Sequence, residues 1–305
     1  MSVHQLTVDE GSAGSRIDLF VGRALALSRA KLKALFDAGA VRVDGRVAKK
    51  GATVVAGQRI TVDLPEGDPR PVPEPDLPLT VLHADDALVF VDKPAGAPSH
   101  PLVPGERGTV ANALVARFPE CAEASADPRE GGLCHRLDVD TSGVMVAART
   151  RAAWTAVREA FAARKVDKRY WAVVSGPIAD EGEIDLPLRH PPRHPDRVEA
   201  AADGAGAREA LTTFRVLDRS GEYALVEARI HTGVLHQVRA HLASIGAPLV
   251  GDPQYGGPEV PGVGRHLLHA RSLALTHPVT GRPIAQTAEA PEDFRAALER
   301  LGLRA

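Results

Sequence analysis

His135-Arg136-Leu137-Asp138-Val139-Asp140-Thr141-Ser142-Gly143 runs straight into Val144-Met145-Val146-Ala147-Ala148. The second half is apolar without alternation, the pattern of a strand covered on both faces. The first half places a carboxylate and a guanidinium at the entry to that strand, on a loop held by a rigid element. An Asp beside an Arg is by itself ordinarily a surface ion pair or a turn residue. Three further polar clusters change the weighing: Lys168-Arg169-Tyr170 at the start of a strand, His236-Gln237-Val238-Arg239 at the start of a helix, and Asp92-Lys93-Pro94 with Gly96 and His100-Pro101.

Outward from this stretch, residues 79–305 alternate strand and helix signals. Leu88-Val89-Phe90-Val91 is a short apolar run ending in a reversing loop at Asp92 to Gly96, and Trp154, Val157 and Phe161 fall at helical spacing. Tyr170 to Val174 reads as a strand stopped by Ser175-Gly176-Pro177. The Pro-, Arg- and His-rich stretch from Leu188 to Arg208 reads as a surface hairpin or loop. A strand from Tyr223 to Ile230 is expected to lead directly into a helix from Leu235 to Ile245, stopped by Gly246, and a last helix is expected from Pro291 to Leu301. The expected fold class is α+β, with a mixed, largely antiparallel sheet.

Residues 1–64 read as a small α+β unit of their own. Ile17, Leu19, Phe20 and Leu25 mark one short helix; Ser28 stands at an N-cap position before a second, which ends near Gly39. Ala40 to Val43, the turn Asp44-Gly45 and Arg46-Val47 form a hairpin pattern, followed by a strand from Arg59 to Val62. Residues 65–78 hold six prolines, which no helix or central strand tolerates, so a stiff extended linker and the domain boundary are placed there.

With 305 residues, 44% hydrophobic and 25% charged, the chain has the composition of a globular protein of two domains. It lacks an apolar run long enough for a transmembrane helix and, at the N-terminus, the pattern of a secretory signal; two cysteines give no disulfide framework. A cytoplasmic protein is the expectation. The formal charge of −2 conceals a local excess: between residues 23 and 50, Arg23, Arg29, Lys31, Lys33, Arg42, Arg46, Lys49 and Lys50 face only Asp37 and Asp44. A basic patch in a neutral chain suits docking on a polyanion at one place.

Taken together the motifs resemble the RluA/RluD-type pseudouridine synthases, which isomerise uridine to pseudouridine in structured RNA. The family signature His-Arg-Leu-Asp, two variable residues, then Thr-Ser-Gly is matched at 135–138 and 141–143, and its Lys-Pro-Ala-Gly loop at Lys93 to Gly96. Val166-x-Lys168-x-Tyr170 matches its tyrosine motif. His236-Gln237-x-Arg239-x-His241, Gly246, Gly251-Asp252 and Tyr255-Gly256 match its third motif, and Leu268-His269-Ala270 with His277-Pro278 its closing strand. Residues 1–64 resemble the alpha-L RNA-binding domain through Arg16-Ile17-Asp18, Ser28-Arg29, Gly39-x-Val41-x-Val43, Gly45 and Gly57.

The resemblance implies that residues 79–305 form the catalytic domain and that Asp138 is the essential carboxylate, either attacking the anomeric carbon or removing a sugar proton. It further implies that Arg239 pairs with Asp138, which matters because burial alone would favour the neutral acid. Tyr170 would pack against the target uracil. Arg136, with His135 beside it, would fill the space left by the flipped base. In the N-terminal domain Arg16, Ser28, Arg29, Lys31, Lys33 and Arg42 would meet RNA, through contacts that position without reading sequence. No cofactor and no metal are implied. His231, His236 and His241 lack the His-Glu-x-x-His arrangement, and Gly204-Ala205-Gly206 lacks the lysine of a phosphate loop. Cys134 reads as packing.

Two departures are expected to alter RNA contacts: Val234-Leu235 stand where the family commonly has Arg-Thr, and Val139 where a cation is frequent. The catalytic domain otherwise reads as not basic, leaving the N-terminal patch as the source of salt-dependent affinity. The leading expected partner is large-subunit ribosomal RNA, transfer RNA the second, with a monomeric protein and no membrane association. The rivals are a catalytically silent RNA-binding factor and a glycoside or nucleoside hydrolase; the latter needs a second essential acid that the motifs do not offer.

Overall fold

The computed structural model describes the chain except residues 1, 26, 28, 65–66, 192–196 and 202–205, and of residues 29–31 only the backbone. Near the N-terminus, β1 (Ser2–Thr7), helices α1 (Ile17–Ala24) and α2 (Arg29–Asp37), β2 (Val41–Val43), β3 (Arg46–Val47) and β4 (Arg59–Leu64) form a four-stranded sheet in the order β1-β4-β2-β3. Ile17, Val21, Leu32, Leu35, Val41, Ile60 and Val62 build its core. The Asp44-Gly45 turn has φ of 47° and 81°, both positive as a tight primed turn requires. The first strand carries no periodic apolar signal: Val3 points to solvent while Ser2 and His4 are half-buried, so only its pairing with β4 defines it.

The larger sheet has nine strands. It comprises β5 (Thr80–Ala84), β6 (Leu88–Lys93), β7 (Ser142–Ala148), β8 (Asp167–Ser175), β9 (Glu181–Asp185), β12 (Leu211–Ser220), β13 (Tyr223–Ile230), β14 (Leu268–Thr276) and β15 (Pro283–Thr287). The intervening β10 (Leu188–Arg189) and β11 (Glu199–Ala200) pair as a separate hairpin inside the Pro-rich stretch, whose tip, with Gly204-Ala205, lies outside the described residues. The order is β5-β6-β7-β14-β8-β13-β12-β9, with β15 added beside β14, and only the β7–β14 pairing is parallel. The architecture is thus α+β with a largely antiparallel sheet.

Alternation along β6 sends Val89 and Val91 to one face and Leu88 and Phe90 to the other. The first face is covered by α3 (Val110–Arg117) and α5 (Gln237–Ser244), the second by α4 (Arg151–Ala162); Phe294 and Leu298 of α6 (Glu292–Arg300) close a third cluster over Val173 and Leu225. Every residue of β7 is buried, which is why its sequence shows no alternation.

One expectation is corrected. The strand β13 does not lead directly into a helix: residues 231–236 form a loop, His236 adopts a left-handed φ of 52°, and the helix begins at Gln237. The proline-rich segment, expected as a stiff linker, is packed against the residues around α3. Asn112 donates to Val72 O (2.8 Å), Glu74 accepts from the Gly108 amide (2.6 Å), and Pro71 is buried beside Gly131.

The register places the site. Ala270 of β14 lies opposite Gly143 of β7 on one side and Tyr170 of β8 on the other. At Gly143 φ is 114°, and an added Cβ would stand 2.2 Å from Ala270 O. Gly143→Ala is therefore expected to cost about 3 kcal/mol or more, through backbone strain and forced separation of two core strands. A urea-unfolding midpoint within error of the parent would contradict it.

Candidate active site

Asp138 lies on the loop between Leu137, buried in the core, and β7, and a set of hydrogen bonds holds that loop. Lys93, wholly buried, donates from Nζ to Val139 O (2.7 Å) and Pro94 O (2.8 Å), and the Gly96 amide donates to the same Val139 carbonyl (2.9 Å). Thr141 Oγ1 shares a hydrogen bond with His266 Nε2 (2.9 Å) and Ser142 Oγ one with His269 Nδ1 (3.0 Å). From outside, Arg265 donates to Asp140 O (2.9 Å) while its Nε pairs with Asp293 (2.6 Å). The Lys-Pro-Ala-Gly loop and the closing strand thus act as a clamp on the aspartate loop. Burial pushes the Lys93 ammonium down to about 8.

Arg239 reaches the same point from the first turn of α5. Its side chain is nearly buried and its nitrogens are divided: Nε and Nη2 grip Asp252 (2.7 and 2.8 Å), Nη2 also donates to Gln254 Oε1 (2.9 Å), and Nη1 faces Asp138 Oδ2 at 3.3 Å. The Tyr255 ring covers the guanidinium at 5.0 Å, and the Tyr255 hydroxyl shares a hydrogen bond with His236 Nδ1 (3.1 Å). Burial works against the Arg239 charge, yet the bonds to Asp252, and the proximity of Asp252 and Asp138, hold its pKa above the ordinary value. Gln237 fixes the approach to the helix, accepting from Thr232 Oγ1 (2.8 Å) and the Val234 amide (3.1 Å) and donating to Leu211 O (3.0 Å).

These elements enclose a cavity of about 720 Å³, within the ordinary size range of ligand pockets, lined by Asp138, Tyr170, Lys168, Arg136 and His236 among others. Tyr170 is buried in its wall, and among the described residues its hydroxyl has no hydrogen-bond partner. Burial first, and the Asp138 charge second, push its pKa upward, so the phenol stays protonated. Lys168 donates only to Thr232 O (2.8 Å) and sits over the Phe161 ring; burial lowers it to about 8.

A family model described as RNA pseudouridylate synthase matches residues 87–244, which include Asp138, Tyr170 and Arg239. The chain is 38% identical to ribosomal large subunit pseudouridine synthase D of Xanthomonas campestris, over 98% of this chain and 93% of that one. The chain belongs to the RNA pseudouridylate synthase family. It is also 37% identical to an uncharacterized RNA pseudouridine synthase of Mycobacterium tuberculosis, over 98% of each chain. The solved structure of human RNA pseudouridylate synthase domain containing 4 superposes with a TM-score of 0.58 at 29% identity, covering 74% of this chain and 94% of that one. The protein is a pseudouridine synthase, an isomerase.

In this synthase the structure brings Asp138 and Tyr170 to one cavity, with Arg136 exposed on its wall and Arg239 buried against Asp138. His135 has structural contacts of its own. Its ring borders the cavity, Nε2 accepts from the Val146 amide (3.1 Å), and the ring packs on Phe161. His231, His236 and His241 hydrogen-bond to Thr213, Tyr255, and Thr212 with Leu186 O. Cys134 is wholly buried and its thiol is pushed far up by burial, consistent with packing.

The basic residues also need correction. Arg158, Arg164, Lys168 and Arg208 line the cavity with Arg136, so the catalytic region carries a basic rim that the neutral total charge conceals. Among the described residues only Asp138 and Glu209 oppose them there, and the exposed Glu209 pairs with Arg164 (2.6 Å). In the N-terminal region Arg16 forks onto Asp18 (3.0 and 2.9 Å), Lys33 meets Asp37 (2.7 Å) and Arg42 meets Asp63. Ser28 and the side chains of Arg29 and Lys31 lie outside the described residues. Arg46, Lys49 and Lys50 are exposed and, among the described residues, form no ion pair. Sequence reasoning assigned no role to Asp252, Gln254 or Tyr255; the Gly-Asp and Tyr-Gly pairs flanking them were the available signal.

Burial holds the histidines that brace the loop neutral, pushing His135 and His266 down to about 3 and His269 to about 4. Their folded pKa values lie below the unfolded one, so on acidification the unfolded chain takes up protons first. Their contribution is complete above pH ~6.5 and lost as pH falls toward 4–3, at about 1.4 kcal/mol per unit for each group. Urea midpoints are expected to drop between pH 7 and 5, less steeply in His269→Gln. Equal slopes would contradict the assignment.

Proposed function

We propose that this synthase converts specific uridines to pseudouridine in structured RNA, large-subunit ribosomal RNA foremost, without a cofactor. The observation carrying the mechanism is Asp138 Oδ2 at 3.3 Å from a caged guanidinium, on the wall of a cavity that also holds the protonated phenol of Tyr170. Breaking the ribose–N1 bond calls for an anionic carboxylate at the sugar, by attack on the anomeric carbon or by removal of a sugar proton, and Arg239 favours the anion. Tyr170 offers its ring to the uracil. The base turns within the cavity and rejoins the anomeric carbon through carbon 5, which then gives up its proton while nitrogen 1 takes one up, so that the reaction is a net isomerisation. Arg136 supports the everted state, its planar cation suited to stack where the base has left. The ribosomal substrate rests on the large-subunit synthase D relatives, 38% identical in Xanthomonas campestris and 35% in Xylella fastidiosa.

Two basic surfaces serve the phosphates. The rim arginines Arg136, Arg158 and Arg208 guide the strand carrying the target, and residues 1–64 form a separate RNA-binding domain that docks nearby duplex through Arg46, Lys49 and Lys50. Neutralising these last three with Gln is expected to flatten the slope of log affinity against log salt by about 2 to 3. An unchanged slope would remove the N-terminal domain from binding. The function itself is tested by mapping pseudouridines in total RNA from cells with and without the protein. Sites lost from large-subunit RNA are expected; losses confined to transfer RNA overturn the substrate, and no loss anywhere overturns the activity.

A further inference from the structure

We infer that Asp252 is a positioning residue for the reaction: it holds Arg239 so that one nitrogen, and only part of its charge, is offered to Asp138. This rests on the proposed role of Asp138. Arg239 spends its two best-aligned nitrogens on Asp252, at 2.7 and 2.8 Å, and its remaining contact on Asp138 is longer, at 3.3 Å. Asp252 is 1% exposed and sits directly before the short helical turn that carries Gln254 and Tyr255, so one segment supplies the carboxylate, amide and ring that surround the guanidinium. A fork held on two acceptors is fixed in plane and direction.

The arrangement matters because Asp138 has conflicting duties. A guanidinium bound to it by both arms would keep it anionic but would occupy both of its oxygens and stabilise the resting charge against reaction. Sharing the cation with a second, inaccessible carboxylate keeps a positive charge beside Asp138 Oδ2 while leaving the other oxygen free of Arg239. The other groups facing Asp138 leave this role to Asp252. His236 lies at 3.8 Å and burial disfavours its charge; His266 and Tyr170 are likewise held neutral, and the Lys93 ammonium is committed to two carbonyls.

The test compares wild type with Asp252→Asn in single turnover at saturating RNA, using a transcript that the wild type modifies. The rate is expected to fall about 100-fold, the scale of an ångström-sized misplacement, while RNA affinity stays within about threefold because Asp252 meets no phosphate. The acidic limb of the pH–rate profile is expected to move to lower pH, since Asp138 then has Arg239 to itself. A merely structural role would leave that limb in place, and an unmoved limb or an unaltered rate overturns the inference. A wild type that forms no pseudouridine on any candidate RNA overturns the parent reading and this one with it. Should Asp252→Asn not fold, Gln254→Leu removes the third arm at a half-buried site; a rate loss of about threefold at constant affinity is expected, and no loss overturns the inference.

Discussion

Asp138→Ala is expected to abolish pseudouridine formation, by ~10⁴-fold or more, with RNA affinity within about threefold of the parent. The scale is that of removing a group which acts covalently or as the obligatory base. Affinity is spared because it comes from phosphate contacts on the rim and the N-terminal patch, to which a carboxylate contributes repulsion if anything. Stability should change little, since Asp138 is partly exposed on the cavity wall and its loop is held by Lys93, His266 and His269 rather than by its own side chain. Pseudouridine quantified in a modified transcript, alongside filter binding, checks both halves. Retained turnover would transfer the chemistry elsewhere, and among the described residues the only other carboxylate on the cavity wall is the exposed Glu209. Pseudouridine formation surviving in Asp138→Ala but lost in Glu209→Ala would assign the carboxylate's role to Glu209.

Arg239→Met is expected to destabilise the fold by about 3–5 kcal/mol as well as silence it. The guanidinium side chain is 7% exposed and its principal partner 1%, so removing the cation strands the Asp252 carboxylate in the core. The cost belongs to the orphaned partner more than to the lost bond, and the double variant separates the two. Arg239→Met with Asp252→Leu removes both charges and is expected to recover most of the unfolding midpoint while remaining inactive, because Asp138 still lacks its cation. Thermal unfolding and turnover measured on the three proteins decide it. A single variant with undiminished stability would mean that the Arg239–Asp252 pair is not sealed from water as the structure has it.

The parts of this account that were legible in the sequence share a property: they are local. The run after Gly143 announces a doubly covered strand, Asp44-Gly45 a tight turn, and the His-Arg-Leu-Asp signature a loaded strand entry. What stayed hidden depends on partners distant in the chain. Ser2 to Thr7 form a strand only because Arg59 to Leu64 pair with it; its own pattern sends Val3 to solvent. The two-residue delay of α5 follows from Gln237, whose side chain knots Leu211, Thr232 and Val234 and draws the loop past where helical spacing began. Val234 and Leu235, read as lost RNA contacts, pack against the cluster of Leu188, Val198, Ala210 and Ala240. The basic rim escaped notice because Arg136, Arg158 and Arg208 are spread over more than seventy positions and meet only in the fold. Asp252 was quoted as part of a motif without a role, since a carboxylate buried beneath another residue's cation leaves no mark in composition or spacing.

The most direct measurement is the structure of Asp138→Asn bound to RNA carrying the target uridine, trapped before bond cleavage. The account predicts a uracil everted into the cavity against the Tyr170 ring, with its anomeric carbon within ~3.5 Å of the residue 138 side chain and Arg239 still gripped by Asp252. A uridine left stacked in its helix, or lodged away from residue 138, would contradict it.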